Sequence, residues 1–550
     1  MDFSDLFPLI DGDTPYRRLE GDFLGRETWR GREYLLVDPA SLRALAREAF
    51  HDLAFFLRPS FLKKLRDLRD DPLSSDNDRF VVEALMKNAA VAAEGILPLC
   101  QDTGTATIMG WKGEEVLTGA EDEVFLTRGV GDAYRDNCLR YSQTAARGMF
   151  DEANTGTNLP AQIDIAAVPG GEYRFLFVAK GGGSANKTSF FPGTPTLLNP
   201  PALEKFIRER VAALGTSACP PYRLAVVVGG LSAEMNLKTL KLATAGLLDR
   251  LPGVSGGEGM PGAADRPDGK NHREYVRPFL DREWSRRLLE AARETGLGAQ
   301  FGGRHLAMDA RVIRLPRHAA SVPVSIGVSC NADRNILGKI SRDGVFLEEL
   351  ERNPLLPEGI SPAVAARIDL RQPMDRIRRD LSRLAPGSLV LLSGPMVVAR
   401  DIAHARLRER LKNDGSLPSY FRDHPVYYAG PAKTPPGLPI GSFGPTTAQR
   451  MDSYLPEFMA AGASLVSLAK GNRSPEVAAA CRDHGGFYLG TIGGAAALLA
   501  AENITSSRIV DYPELEMEAV RMIEVRDFPA FVLVDDKGGD FYASILSRRA

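Results

Sequence analysis

The chain has 550 residues, and at about 150 residues per domain that length sets an expectation of two to four domains. Its 68 Lys and Arg residues against 70 Asp and Glu leave a net charge of −2, without the basic excess of a nucleic-acid binder. With 25% charged and 44% hydrophobic residues it has the profile of a folded globular protein, and no apolar run approaches the roughly 20 residues of a spanning helix.

The start, Met1-Asp2-Phe3-Ser4-Asp5, is acidic and lacks the basic and apolar segments of a signal peptide. Five sparse cysteines (Cys100, Cys138, Cys219, Cys330, Cys481) make no disulfide framework and suit a reducing, cytoplasmic setting.

Residues 1–35 mix Gly, Asp and Pro without a period and read as an N-terminal extension wrapping the surface. From residue 39 to 93 the apolar spacing is helical, with Ser41 placed to cap the first helix. The stretch 126–149 reads as helix again. Short β-like runs follow at 162–165, 173–178 and 224–228, alternating with helical segments such as 201–214. Residues 36–350 therefore read as a mixed α+β N-terminal domain. The turn-forming stretch Asn353-Pro354-Leu355-Leu356-Pro357-Glu358-Gly359-Ile360-Ser361-Pro362 marks a linker over 351–372. Beyond it, strand–turn–helix units make 373–550 a smaller α/β C-terminal domain, so the fold class is α/β.

Three cysteines sit where apolar runs break into turn residues, the positions that present functional side chains. They are found in Cys100-Gln101-Asp102-Thr103-Gly104-Thr105, Ala218-Cys219-Pro220-Pro221-Tyr222 and Ser329-Cys330-Asn331-Ala332-Asp333-Arg334. No local zinc or ferredoxin spacing links them, and spacing alone favours small buried hydrophobes. Cys138 and Cys481 have helical neighbours and read as core thiols. Lys180-Gly181-Gly182-Gly183-Ser184-Ala185-Asn186-Lys187 follows a strand, so its glycine N–H groups can converge on an anion, although a tight turn explains it equally well. The segment from Tyr428 to Arg450 is rich in Pro and Gly and nearly free of charge, which fits a rigid loop around a ligand. Within it, Thr446, Thr447 and Arg450 would place hydroxyls and a guanidinium at a helix start, an arrangement that suits a carboxylate. Arg400 and Lys470 each end an apolar run.

Taken together and in this order, those segments with Gly444-Pro445-Thr446-Thr447 resemble the class I, iron–sulfur fumarate hydratases, with both family halves fused in one chain. The resemblance runs from about Phe55 to Tyr542. It implies a [4Fe–4S] cluster on Cys100, Cys219 and Cys330, one iron keeping an open position, in a cleft between the two domains. It implies reversible hydration of fumarate to (S)-malate. Gln101, Arg140, Gly183, Arg400, Thr447, Arg450 and Lys470 are the substrate-binding residues it implies. Thr446 becomes the base at C3 and Asp102 the acid at the C2 hydroxyl; a threonine base needs a nearby cation such as Lys470. His318 resembles the family histidine that reaches the neighbouring subunit's substrate, which implies a homodimer. The substrate is then a small dicarboxylate, and neither a nucleic acid nor a membrane is expected as partner. Two other readings stand beside this one: a related hydro-lyase acting on tartrate or mesaconate, and a non-catalytic iron–sulfur sensor.

Overall fold

The computed structural model describes residues 15–254, 277–356 and 365–548. The first 14 residues of the expected extension and positions 357–364 of the expected linker lie outside the described residues. Three large sheets, three small ones and the helices between them make a mixed α/β fold among the described residues.

The first sheet has six strands in the order Tyr16–Arg18, Gly344–Glu348, Asn335–Ser341, Tyr173–Lys180, Thr105–Gly113 and Gln162–Val168. Residues 15–35 are thus drawn into structure, since Tyr16–Arg18 pairs antiparallel with Gly344–Glu348. The helices Pro39–Phe55 and Asp122–Asp136 join this sheet's core, where Phe50 meets Phe177 edge to face at 6.1 Å. Asp38, not Ser41, caps the first of them: its carboxylate accepts the Ala40 N–H, and Pro39 at the first helical position has no N–H to satisfy. Ser41 lies inside the first turn and donates its hydroxyl to the Asp38 carbonyl.

The helix expected over 126–149 ends at Asp136. Asn137 caps it and Cys138 turns to φ +52°, a left-handed conformation that a helix cannot propagate. Thr144–Ala146 is a short strand instead, paired with Glu152–Asn154.

The second sheet runs Ser189–Gly193, Val322–Ser329, Tyr222–Gly230, Ala307–Arg317, Phe279–Asp281 and Gly253–Val254. Every residue of Tyr222–Gly230 is buried, which is why its apolar residues run on rather than alternate.

The third sheet closes on itself. Leu389–Val398 pairs with Val426–Tyr427, then Val466–Ala469, Phe487–Gly490 and Val520–Val534 follow in turn, and Val520–Val534 returns to pair with Leu389–Val398. Ala366–Asp369 and Ile504–Asp511 flank the ring. Where Leu389–Val398 meets Val520–Val534, Arg526 and Asp527 stand opposite Ser393 alone, a bulge at which Asp527 takes φ +47°. The Ala-rich segment after Gly494 is a single turn, Ala496–Leu498, running into a π-turn at Leu499–Asn503. Cys481 is buried and Cys138 half-buried.

Candidate active site

The loops at the strand ends meet in one polar cavity of about 80 Å³. Cys100 precedes Thr105–Gly113, Cys219 precedes Tyr222–Gly230, and Cys330 directly follows Val322–Ser329. All three line the cavity, with Gln101, Asp102, Arg140 and Gly183 from the same side of the chain. From the C-terminal part of the chain come Arg400, Thr446, Thr447, Arg450 and Lys470. Residues hundreds of positions apart are neighbours here because strand ends meet the segment after the helix Asp122–Asp136, which brings Arg140, and the short turns that carry Gly183 and Arg450.

The cysteine wall is sewn across the two parts of the chain. Cys219 holds φ +63°, and its carbonyl accepts the Asn331 N–H at 3.1 Å, tying two cysteine loops together. The Asn331 Nδ2 donates to the carbonyls of Pro220 and Gly493, each at 3.0 Å. Gln300 reaches the same pair, at 3.1 and 2.9 Å, and its Oε1 accepts the Gly493 N–H at 2.7 Å. A Cβ at Gly493 would lie 2.5 Å from the Cys219 Sγ, so only glycine lets this loop close on the thiol. Asn88 makes a comparable brace: it donates to the Leu99 carbonyl beside Cys100 and accepts the N–H groups of Ala497 and Leu498.

Positive charge faces the thiols. The Lys470 Nζ lies 2.9 Å from the Cys219 Sγ, and the Arg334 Nη1 donates to the Asp102 carbonyl at 2.6 Å. Burial pushes the Cys100 thiol up to about 11 and raises Cys219 as well, with Lys470 pulling the latter back. A buried thiol of this kind keeps its proton until a cation or metal replaces it. Among the described residues, no three His, Cys, Asp or Glu side chains converge as they would around a single ion. The three thiols line one cavity, each from a different loop.

Both Asp102 carboxylate oxygens are held by backbone: Oδ1 accepts the Gly104 N–H at 3.2 Å and Oδ2 the Gly182 N–H at 2.9 Å. Burial works against its charge, but Arg140, Arg334 and the Gly182 N–H outweigh it and hold the carboxyl below its ordinary range. Its resting form is the carboxylate. Arg400 is 3% exposed and pairs with Glu518 at 2.5 Å, while Arg450 is half-exposed and pairs with Asp401 at 2.6 Å. Burial lowers Arg400 to about 10, which leaves it a cation at neutral pH. The enclosed Nε of Arg140 has no hydrogen-bond partner among the described residues, and neither has that of Arg400.

His318 is the one expected site residue that does not line the cavity. It sits exposed on the turn after Ala307–Arg317, with its Nδ1 accepting the Ala320 N–H. Sequence reasoning missed Gln300, Asn331 and Arg334. Two of these lie inside the Cys330 motif but carry no motif chemistry of their own. The signal for Gln300 was the glycine cluster around it, at Gly296, Gly298, Gly302 and Gly303, all with positive φ.

A family model described as "Fumarate hydratase (Fumerase)" matches residues 43–339, and one described as "Fumarase C-terminus" matches 344–545. A class I, aerobic fumarate hydratase of Salmonella typhimurium is 51% identical over 550 residues, covering 99% of this chain and 92% of that protein. A class I, anaerobic fumarate hydratase of Escherichia coli is 50% identical over 548 residues, covering 99% and 97%. Fumarate hydratase 2 of Leishmania major is 49% identical over 555 residues, covering 99% and 95%. Matched in both halves and along nearly its full length, the chain belongs to the class I fumarate hydratases, a family of lyases.

Proposed function

We propose that the chain catalyses the reversible hydration of fumarate to (S)-malate, with a [4Fe–4S] cluster held by Cys100, Cys219 and Cys330. The observation that carries this reading is the convergence of three thiols from distant strand ends on a cavity walled by arginine, lysine and glycine N–H groups. The residues fit the cluster on their donor chemistry: three sulfur atoms along one wall, with Lys470 and Arg334 beside them to offset thiolate charge. When bound, the cluster supplies a Lewis-acidic iron for the hydroxyl that is gained or lost at C2.

The chain's own groups account for the rest. Malate and fumarate carry two carboxylates, and Arg140, Arg400, Arg450 and Lys470 place cations around the cavity to receive them, with Gln101, Thr447 and the Gly183 N–H as further donors. Among the described residues Arg140 stands in no ion pair with a carboxylate, although its field bears on Asp102. Arg400 and Arg450 must exchange Glu518 and Asp401 for substrate. In dehydration Thr446, its hydroxyl deprotonated with the Lys470 cation in the same cavity, takes the C3 proton on its alkoxide oxygen, and the negative charge that builds on the adjacent carboxylate falls among these cations. In hydration Asp102, held as a carboxylate by two backbone N–H groups, accepts a proton from water, and by microscopic reversibility it returns that proton in the other direction.

We further propose a cytoplasmic homodimer in which His318 reaches the neighbouring site; its support is the exposed position of His318 away from its own cavity. Among the described residues no helix is long and apolar enough to cross a membrane.

Oxygen-free purification followed by iron and sulfide analysis and a fumarate assay tests the reading. Iron and sulfide in equal amounts with fumarate turnover are expected, and mesaconate and tartrate should turn over more slowly. Cys219→Ala should lose iron and activity together, whereas Thr446→Val should lose activity with the cluster spectrum intact. Protein without iron, or iron-loaded protein inert to fumarate, would refute it.

A further inference from the structure

A second cavity, of about 260 Å³, lies between the helix Asp76–Ala92, the turn Ala496–Leu498 with its π-turn continuation, and the strands Leu389–Val398 and Val520–Val534. Its apolar surface comes from Phe80, Ala84, Leu391 and Leu499. The π-turn on its wall, Leu499–Asn503, is a rare irregularity that recurs at functional sites.

Three carboxylates and one ammonium complete the lining: Glu83, Glu502 and Asp527 against Lys87. Asp527 is already paired with Arg367. Glu83 is different. It is 4% exposed, and its Oε1 is enclosed without a hydrogen-bond partner. Lys87, on the same cavity wall, is the cation whose field bears most on it, and Arg69 and Arg79, which come next, are engaged by Asp70 and Asp76. A buried carboxylate oxygen left without a donor is unfavourable, and a ligand that brings the donor relieves it.

We propose that this cavity binds a small organic cation, a protonated amine on a short apolar body, with its ammonium at Glu83 and its carbon frame against Phe80 and Leu391. An apolar pocket with a few fixed polar groups is the usual form of a small-molecule site. Here the unmet acceptor at the wall sets the charge of the ligand, and the rim carboxylate of Glu502 adds to it. Glu83 takes no part in the active site, so this inference stands whether or not fumarate is the substrate.

Benzylammonium serves as the probe and benzyl alcohol as its uncharged counterpart, titrated calorimetrically into the oxygen-free full-length protein at neutral pH. The wild-type protein should bind one benzylammonium per chain saturably, and at least tenfold more tightly than benzyl alcohol. Glu83→Gln keeps the shape and removes the charge; it should weaken benzylammonium at least tenfold and leave benzyl alcohol and basal lyase activity unchanged. The absence of saturable binding to wild type would overturn the proposal. So would equal affinity for amine and alcohol, or a Glu83→Gln affinity within twofold of wild type.

Discussion

Gln300 and Asn331 share acceptors, and that sharing makes a quantitative prediction. Both side chains donate to the same two carbonyls, Pro220 and Gly493, so either one alone keeps both carbonyls satisfied. Asn331→Ala then removes two bonds without orphaning a backbone group, and it also removes the enclosed, unpartnered Asn331 Oδ1. Its cost should be about 1 kcal/mol, the net worth of ordinary hydrogen bonds. Gln300→Ala orphans one group, the Gly493 N–H, for about 2 kcal/mol. The double variant orphans three: that N–H and both carbonyls. At about 1–3 kcal/mol per buried unsatisfied group, it should cost about 5 kcal/mol, exceeding the sum of the single variants by about 2 kcal/mol. Equilibrium urea unfolding of the metal-free protein without oxygen, followed by the fluorescence of its three tryptophans, measures each corner of the cycle. If the single effects add to the double within about 0.5 kcal/mol, the carbonyls are not shared and the account of the cysteine wall is wrong.

Three further outcomes follow from the same geometry. Gly493→Ala should fold but retain less than half the iron of wild type, because the added methyl lies 2.5 Å from the Cys219 Sγ; iron per chain after oxygen-free reconstitution measures it. Arg334→Met should lower kcat/KM about thirtyfold with iron content kept, since the charge-assisted bond to the Asp102 carbonyl is worth about 2 kcal/mol. Arg334→Lys should recover only part of that loss, because an ammonium lacks the planar fork. His404 is wholly buried among Phe421, Tyr428, Tyr454 and Phe458, and burial drops its folded-state pKa from 6.5 to about 3. Below pH 6.5 the unfolded chain takes up a proton that the folded chain refuses, so stability present above that pH falls by about 1.4 kcal/mol per unit down toward pH 3. His404→Phe should remove this component, and unfolding midpoints at pH 7 and pH 5 test it; an unchanged pH dependence would refute it.

What could be read in the residues was the part carried by local pattern. The buried strand Tyr222–Gly230 announces itself as an uninterrupted apolar run, and the first long helix by its period. The cap of that helix was misplaced by three residues, because Ser41 and Asp38 both qualify by type and only φ/ψ distinguishes them. The helix that ends at Asp136 was read too long, because a left-handed Cys138 leaves no mark in hydrophobic spacing. At the site, the cysteines and most of the cations were legible through motifs, since strand ends concentrate chemistry-bearing residues. Gln300, Asn331 and Asn88 were not. An amide's role is fixed by which backbone carbonyls and N–H groups lie opposite, and those groups come from chain segments far away in sequence.

The cysteine wall has one face from each part of the chain. All three thiols belong to the N-terminal part, yet Gly493 and Lys470, which close over Cys219, belong to the C-terminal part. If Cys219 holds a metal as proposed, that thiol would take it up most readily before the C-terminal part closes over it, since Gly493 and Lys470 then stand against its sulfur.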